Sequence, residues 1–143
     1  TRLKMKVKIL LDTEYNKTAP ICSVGSTTNE KQFVLQDKTC TIRCNLLFLP
    51  EDELHIKFTN NDDSDDNVIL IKKIYIDGID LQHFIFKGTF NPIYNMDWFN
   101  KQSIKPPRSY SPCTELRHNG VWRLDIKKPI WKMIMNKWIQ DER

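Results

Sequence analysis

The stretch Leu3-Lys4-Met5-Lys6-Val7-Lys8-Ile9-Leu10-Leu11 alternates apolar and basic side chains over most of its length. An extended chain points successive side chains to opposite faces of a sheet. The alternation therefore places the apolar set on one face and the lysines in water, and it predicts a half-buried β-strand over residues 3–11.

Two further segments follow the same period of two. Residues 40–48 alternate from Cys40 to Phe48, and residues 54–58 alternate from Leu54 to Phe58. The polar turn Pro50-Glu51-Asp52-Glu53 separates them. Two alternating segments joined by a short polar turn are typical of an antiparallel hairpin, and we expect them to pair.

The longest apolar run, residues 68–76, is rich in β-branched side chains and favours a strand. Asp77-Gly78 then favours a tight turn, after which we expect another strand over residues 79–86. Shorter strands are predicted over residues 21–24, 33–35 and 121–126. About seven short strands in a chain of this length predict a mainly β fold, an antiparallel β-sandwich of the jelly-roll kind.

Residues 88–113 combine prolines and aromatic residues without a regular period. We predict a long aromatic loop, and long loops of this kind are often functional. Its aromatic side chains are candidates for ligand or partner binding, although they could equally cover an open end of the sandwich. They are Tyr94, Trp98, Phe99 and Tyr110.

The last part of the chain predicts hairpin strands over residues 114–128 and one C-terminal helix over residues 129–141. Pro129 suits the first turn of a helix, and apolar residues recur after it at helical spacing. The helix could dock on the core of its own chain or on a neighbouring subunit. Trp131 and Trp138 are the candidate partner contacts on this helix.

Composition indicates one domain over residues 1–143, with the sandwich core in residues 1–87. The net charge of +4 is small, and the densest charge run is acidic, so we expect no nucleic-acid partner. No run approaches the roughly 20 apolar residues that cross a bilayer, so we expect no membrane insertion.

Signatures of catalysis are absent from the sequence: it has no Gly-x-Ser-x-Gly, P-loop, Gly-x-Gly-x-x-Gly or His-Glu-x-x-His motif. Glu115 and His118 could be drawn as an acid–base pair, but two titratable residues near a turn are a common coincidence. The four cysteines and three histidines lack the paired spacing of a zinc site. We therefore predict that the protein is not an enzyme.

An acidic segment lies just before residues 68–76. Four carboxylates within five residues repel one another unless they are solvated or bridged by a cation, and calcium prefers six to eight oxygen ligands. The segment lacks the central glycine of an EF-hand. A solvated loop and a calcium site both remain open, and the candidate calcium ligands are Asp62, Asp63, Asp65 and Asp66.

The segment from Phe58 to Leu81 resembles calcium-dependent xylan-binding-type carbohydrate-binding modules. In those modules a strand ends in Phe-x-Asn-Asp, an acidic loop follows, and the next strand ends before a glycine. This chain has Phe58-Thr59-Asn60-Asn61-Asp62 and Ile74-Tyr75-Ile76-Asp77-Gly78, with Asp65-Asp66-Asn67 where the modules have Asp-Arg-Asn. The resemblance implies a jelly-roll fold, a calcium cofactor and a glycan partner.

A second resemblance covers Phe84-Ile85-Phe86-Lys87-Gly88, Asn119-Gly120-Val121-Trp122 and Pro129-Ile130-Trp131. These segments are similar to small proteins of tailed bacteriophages, cyanophages in particular, and abundant Lys, Asn and Ile are typical of an AT-rich genome. The resemblance implies a virion-associated structural or assembly protein that recognises other virion proteins or itself. It would be located in the virion and, during viral assembly, in the host cytoplasm. The alternative function is calcium-assisted adhesion to a host surface glycan.

Overall fold

The computed structural model of the protein describes residues 2–62 and 66–141. Its strands, in chain order, are β1 Leu3–Glu14, β2 Ile21–Gly25, β3 Glu30–Val34, β4 Thr39–Phe48, β5 Glu53–Phe58, β6 Val68–Ile76, β7 Ile79–Asp80, β8 Thr89–Pro92, β9 Glu115–Leu116 and β10 Gly120–Asp125. The helices are a short 3-10 helix Ile85–Lys87, α1 Met96–Lys101 and α2 Lys128–Asp141.

The strands form two antiparallel sheets that enclose one core. The first sheet has the order β4-β1-β6-β7, with β9 pairing on β6, and the second has the order β3-β2-β5-β10-β8. The prediction of a mainly β antiparallel sandwich with a C-terminal helix is confirmed.

The alternation in β1 has the predicted effect. Met5, Val7, Ile9 and Leu11 are almost completely buried. In register, Ile9 lies between Ile42 of β4 and Ile74 of β6, so the apolar rows of three strands meet on the inner face.

The expected hairpin of β4 and β5 is wrong, because β4 lies in the first sheet and β5 in the second. Buried Asp52 stabilises the connection from β4 in one sheet to β5 in the other. Its carboxylate accepts hydrogen bonds from Leu49 N at 3.0 Å, Glu53 N at 2.7 Å and Thr27 Oγ1 at 2.9 Å. Burial opposes ionisation of Asp52, but these hydrogen bonds outweigh it and lower the pKa of its carboxyl. Each strand has an inward apolar face, so alternation alone could not distinguish pairing within a sheet from a crossing between sheets.

The hairpin predicted within residues 114–128 also differs from the structure. β9 pairs with β6 in the first sheet, whereas β10 pairs with β5 and β8 in the second. The first position of β10 needs glycine, since Gly120 has φ +154° and a Cβ there would lie 2.4 Å from the Asn91 carbonyl oxygen.

Two other segments differ from their predictions. Residues 79–86 form only the two-residue β7 before the chain turns into the 3-10 helix. The predicted loop over residues 88–113 contains β8 and the six-residue α1, whose N-cap Asn95 accepts a hydrogen bond from Trp98 N at 3.2 Å. A six-residue helix is too short to show a helical period in the sequence.

Helix α2 docks on the core of its own chain. Ile130 and Ile134 are buried, and Trp131 and Trp138 pack partly buried against the core. The indole of Trp138 and the ammonium of Lys137 both reach the turn after β6. No helix in the part of the chain that the structure describes is long and apolar enough to span a bilayer.

Candidate functional site

A cleft of about 290 Å³ opens at the end of the sandwich opposite α2. Strand pairing defines this end, since Gly120 lies opposite Phe58 and Pro92, whereas α2 follows the other end of β10. The cleft combines aromatic, acidic, amide and cationic side chains. Its lining residues are Asn61, Asp62, Asp66, Ile93, Tyr94, Asn95, Trp98, Arg117, His118 and Asn119.

An asparagine network holds the loops around the cleft together. The Asn61 side chain accepts a hydrogen bond from Asn67 N at 3.0 Å and donates to the carbonyl oxygens of Asn67 at 3.0 Å and Arg117 at 2.7 Å. Asn119 completes the network: its Oδ1 accepts from Asn61 N at 2.7 Å and its Nδ2 donates to Asn61 O at 3.2 Å. The two loops, 56 to 58 residues apart in sequence, are therefore fixed to each other by paired amides.

The aromatic side of the cleft is built around Tyr94. Its ring stacks on Trp98 and on Phe99 with centroids 5.6 Å apart in both pairs, and the ring of His118 meets its edge at 4.9 Å. The Tyr94 hydroxyl donates to the Pro107 carbonyl. Burial raises the pKa of this hydroxyl above its usual range, so it stays protonated as a donor at neutral pH.

The four loop aromatics predicted from the sequence therefore divide into two pairs. Tyr94 and Trp98 line the cleft. Phe99 and Tyr110 contact Tyr94, with the hydroxyls of Tyr94 and Tyr110 3.2 Å apart, and they support the ring without lining the cleft. Trp131 and Trp138 lie on α2 at the other end, and their role in partner binding stays a prediction.

The predicted calcium ligands are only partly described. Asp62 and Asp66 line the cleft, while Asp63 and Asp65 lie outside the described residues. Among the residues that are described, no group of three or more His, Cys, Asp or Glu side chains could hold a metal ion.

Asn67 nevertheless carries an observation that fits a cation. Its side chain is completely buried, and its Nδ2 donates to Thr18 O at 2.9 Å. Its Oδ1 has no hydrogen-bond partner within residues 2–62 and 66–141. An unsatisfied buried oxygen costs about 1–3 kcal/mol, so such an atom usually has a water or an ion as its partner. Carboxylate and amide oxygens are the ligands that calcium prefers, and the side-chain oxygens of Asp62, Asp66 and Asn67 are of these kinds.

Cationic Arg117 also belongs to the cleft. Its guanidinium contacts Glu115 at 2.8 Å. The hydrogen bond that the guanidinium donates to this carboxylate, with a smaller attraction to Asp66, raises the pKa of Arg117. Glu115, considered above as a partner of His118, forms an ion pair with Arg117.

Sequence reasoning identified Asn95 as a polar neighbour of the loop aromatics. It missed the other amide and cationic residues of the cleft, Asn61, Asn119 and Arg117, and the edge-on contact of the His118 ring with Tyr94. The Asn-Asn and Asn-Gly dipeptides at residues 60–61 and 119–120 were the available signal. They indicate turns, but a turn signal does not reveal which other turn it contacts.

Comparison with known proteins supports the fold. No family model matches the chain, and no curated protein matches it. Among solved structures it is similar to the selenomethionine form of vCBM60, from work that links two families of calcium-dependent carbohydrate-binding modules by circular permutation. That likeness has a TM-score of 0.57 and 11% identity over 85% of this chain and 90% of the other. It is also similar to vCBM60 in complex with galactobiose, with a TM-score of 0.58 and 13% identity over 84% of this chain and 97% of the other.

At this level of identity the likeness establishes the fold alone. The chain has a sandwich fold like that of a calcium-dependent carbohydrate-binding module, as the first sequence resemblance implied. The bacteriophage resemblance stays a prediction.

Proposed function

We propose that the protein binds carbohydrate in the cleft at the open end of the sandwich, with calcium assisting and without catalysing a reaction. One observation carries the proposal: the rings of Tyr94 and Trp98 line the same cleft as the oxygen-bearing side chains of Asp62 and Asp66. The similar module vCBM60 binds galactobiose, which supports a saccharide as the ligand.

The two kinds of side chain suit the two kinds of surface on a sugar. The C–H faces of a pyranose ring are apolar and pack on aromatic rings, while its hydroxyls need hydrogen-bond partners. In the cleft, Trp98 offers the ring, and Asn95 and Arg117 offer polar groups beside it. The volume of about 290 Å³ lies near the lower end for small-molecule sites, so we expect a short saccharide segment to be held.

Calcium would be held by Asp62, Asp66 and Asn67. When bound, it supplies a positive centre with six to eight oxygen positions, more than these three side chains would fill, so sugar hydroxyls could complete its coordination. The asparagine network orients the loop that carries Asp62, because Asn61 precedes it directly.

Calorimetry with galactobiose and longer galacto- and xylo-oligosaccharides tests the proposal, in calcium and in EDTA. We expect binding in calcium, weaker binding in EDTA, and a loss of about tenfold in affinity for Trp98→Ala, since a stacked ring contributes about 1 kcal/mol or more. Phe86→Ala is the matched control, because Phe86 is 60% exposed and lies outside the cleft. Recovery of the oligosaccharide intact after incubation tests the absence of catalysis. A glycan array without signal in either buffer would refute the proposal.

A second candidate function is the virion-associated role, in which the chain contacts other virion proteins or itself. Exposed apolar side chains around α1 favour a protein contact: Ile93 is 68% exposed, Met96 63% and Ile104 87%. Mass spectrometry of purified virions and light scattering test this role. A strict monomer that fails to attach to particles would count against it, and against a location in the virion.

A further inference from the structure

The outer face of the first sheet carries five cations and is distinct from the cleft. The period of two in β1 turns Lys4, Lys6 and Lys8 away from the core. Arg43 of β4 lies directly across from Lys8, and Lys73 of β6 lies across from Leu10. We call the surface formed by Lys4, Lys6, Lys8, Arg43 and Lys73 the basic face.

The basic face contains no ion pair among the residues that the structure describes. Neighbouring acidic groups have other partners. Asp77 accepts hydrogen bonds from Lys6 N and the Trp138 indole. Asp80, in register with Tyr75, accepts one from Gln82 N, and Asp12 faces Lys72 at 3.8 Å. Like charges placed directly across a strand pair, as in Lys8 and Arg43, destabilise a sheet. An external anion would relieve that repulsion.

The basic face also has room for a ligand. A shallow depression of about 500 Å³ lies over it, lined by Lys6, Val7, Lys8, Arg43, Cys44, Asn45, Tyr75 and Gly78. The lysines on β1 extend over about 13 Å, given about 3.3 Å per residue. A row of charges of this length suits a chain with repeated negative groups better than a single ion.

We propose that the basic face binds an acidic polysaccharide whose sugars carry carboxylate groups. The planar guanidinium of Arg43 can donate two parallel hydrogen bonds to one carboxylate. Asn45 and the Tyr75 ring, which lie in the same depression, offer a hydrogen-bonding amide and an apolar edge to the sugars.

The same residues disfavour a nucleic acid. Nonspecific binding of single strands relies on aromatic faces on which bases stack. Tyr75 is the one aromatic residue lining the depression, and Lys8 Nζ lies 4.9 Å from its ring centroid and covers that face. The residues that line the depression come from β1, β4, β6 and the turn after β6, so none of them lies on a helix that could enter the major groove of a duplex.

This site goes beyond the proposed function, since it uses another surface, another ligand and no metal. The test is therefore affinity electrophoresis and calorimetry with polygalacturonate in EDTA, which prevents calcium from cross-linking the polymer. The test variant is Lys6→Gln with Lys8→Gln and Arg43→Gln. The matched control removes the same charge from exposed sites elsewhere, through Lys38→Gln, Lys127→Gln and Lys132→Gln.

We expect the wild-type chain and the control to bind polygalacturonate, with affinity that falls as salt is raised. The test variant should bind at least about tenfold more weakly, as the loss of three exposed charge contacts predicts. It should still bind the neutral saccharides of the cleft, while Trp98→Ala should leave polygalacturonate binding unchanged. Binding at the cleft and binding at the basic face can therefore be tested separately, and a negative result for one does not affect the other.

Three results would overturn the inference: no binding of polygalacturonate by the wild type, an equal loss in the control variant, or equal binding of a single-stranded oligonucleotide of matched charge. A circular dichroism spectrum and melting temperature of the test variant establish that it is folded. If the triple variant does not fold, Lys8→Gln alone replaces it, with Lys132→Gln as its control.

Discussion

The indole nitrogen of Trp138 donates a 2.6 Å hydrogen bond to the carboxylate of Asp77 and so joins α2 to the turn between β6 and β7. The other oxygen of the same carboxylate accepts from Lys6 N at 2.8 Å. One acidic side chain therefore connects the helix, the turn and β1, an inner strand of the first sheet.

Replacing Trp138 with Phe removes the indole donor but keeps most of the ring. We expect the free energy of unfolding to fall by about 1–3 kcal/mol, the range for a lost hydrogen bond to a charged group. Urea unfolding measures the change. Trp131→Phe is the matched control, since the Trp131 indole makes no hydrogen bond to a described residue. Equal losses in the two variants would show that packing alone holds the helix.

Calcium should stabilise the fold through the end of the sandwich that carries the acidic loop. A ligand at about 100 times its dissociation constant adds about 2.7 kcal/mol, or several degrees in a domain of this size. We expect the rise in melting temperature with calcium to shrink in Asp62→Asn and in Asp66→Asn. Asp125→Asn at the other end should retain the full rise. A melting temperature that does not respond to calcium in the wild type would exclude a calcium site coupled to folding.

Asn61 should be needed for both stability and ligand binding. Its replacement by Ala removes the hydrogen-bond partner of Asn67 N, Asn67 O and Arg117 O, which costs about 3 kcal/mol in total at about 1 kcal/mol for each bond. We expect a lower melting temperature together with weaker saccharide binding. Asn100→Ala, at an exposed position on α1, should change neither. Unchanged saccharide affinity in a folded Asn61→Ala protein would contradict the positioning role of the network.

The Asp52 carboxyl predicts a dependence of stability on pH. Its pKa is lowered in the folded state, so its contribution is present above the unfolded pKa of about 3.9 and is lost as pH falls through the folded value. Asp52→Asn should therefore be less stable than the wild type at pH 7, and this difference should diminish as pH is lowered below about 4. Urea unfolding from pH 7 to 3 measures it, with Glu51→Gln at the neighbouring exposed position as control. A difference in the free energy of unfolding that stays constant from pH 7 to 3 would show that ionisation of Asp52 does not contribute to the stability of the fold.

Local pattern predicted the two-layer fold but not its connections. The alternation around Ile9 and in residues 68–76 identified strands with one inward face, and the apolar period after Pro129 identified α2. Which sheet each strand joins depends on pairings between distant residues. Alternation carries no information on them, so β4 and β5 appeared to be a hairpin.

The residue types of the candidate site were predicted from the sequence, but their proximity was not, because it too depends on contacts between distant residues. Tyr94, Trp98, Asp62 and Asp66 stood out by residue type, and the structure places all four around one cleft. The link between Asn61 and Asn119 joins residues 58 positions apart and has no local signature. Chemistry could therefore be inferred from the sequence, while the juxtaposition that creates a site could not.

Strand β1 lies between β4 and β6, whose residues come some 30 to 70 positions later in the chain. This inner strand can thus acquire its neighbours only after long loops have closed, each at an entropic cost that local contacts do not offset. Proteins dominated by such distant pairings fold in milliseconds to seconds, whereas helical bundles need microseconds to milliseconds. We therefore expect slow refolding from denaturant, with unpaired edges of β1 exposed in the meantime.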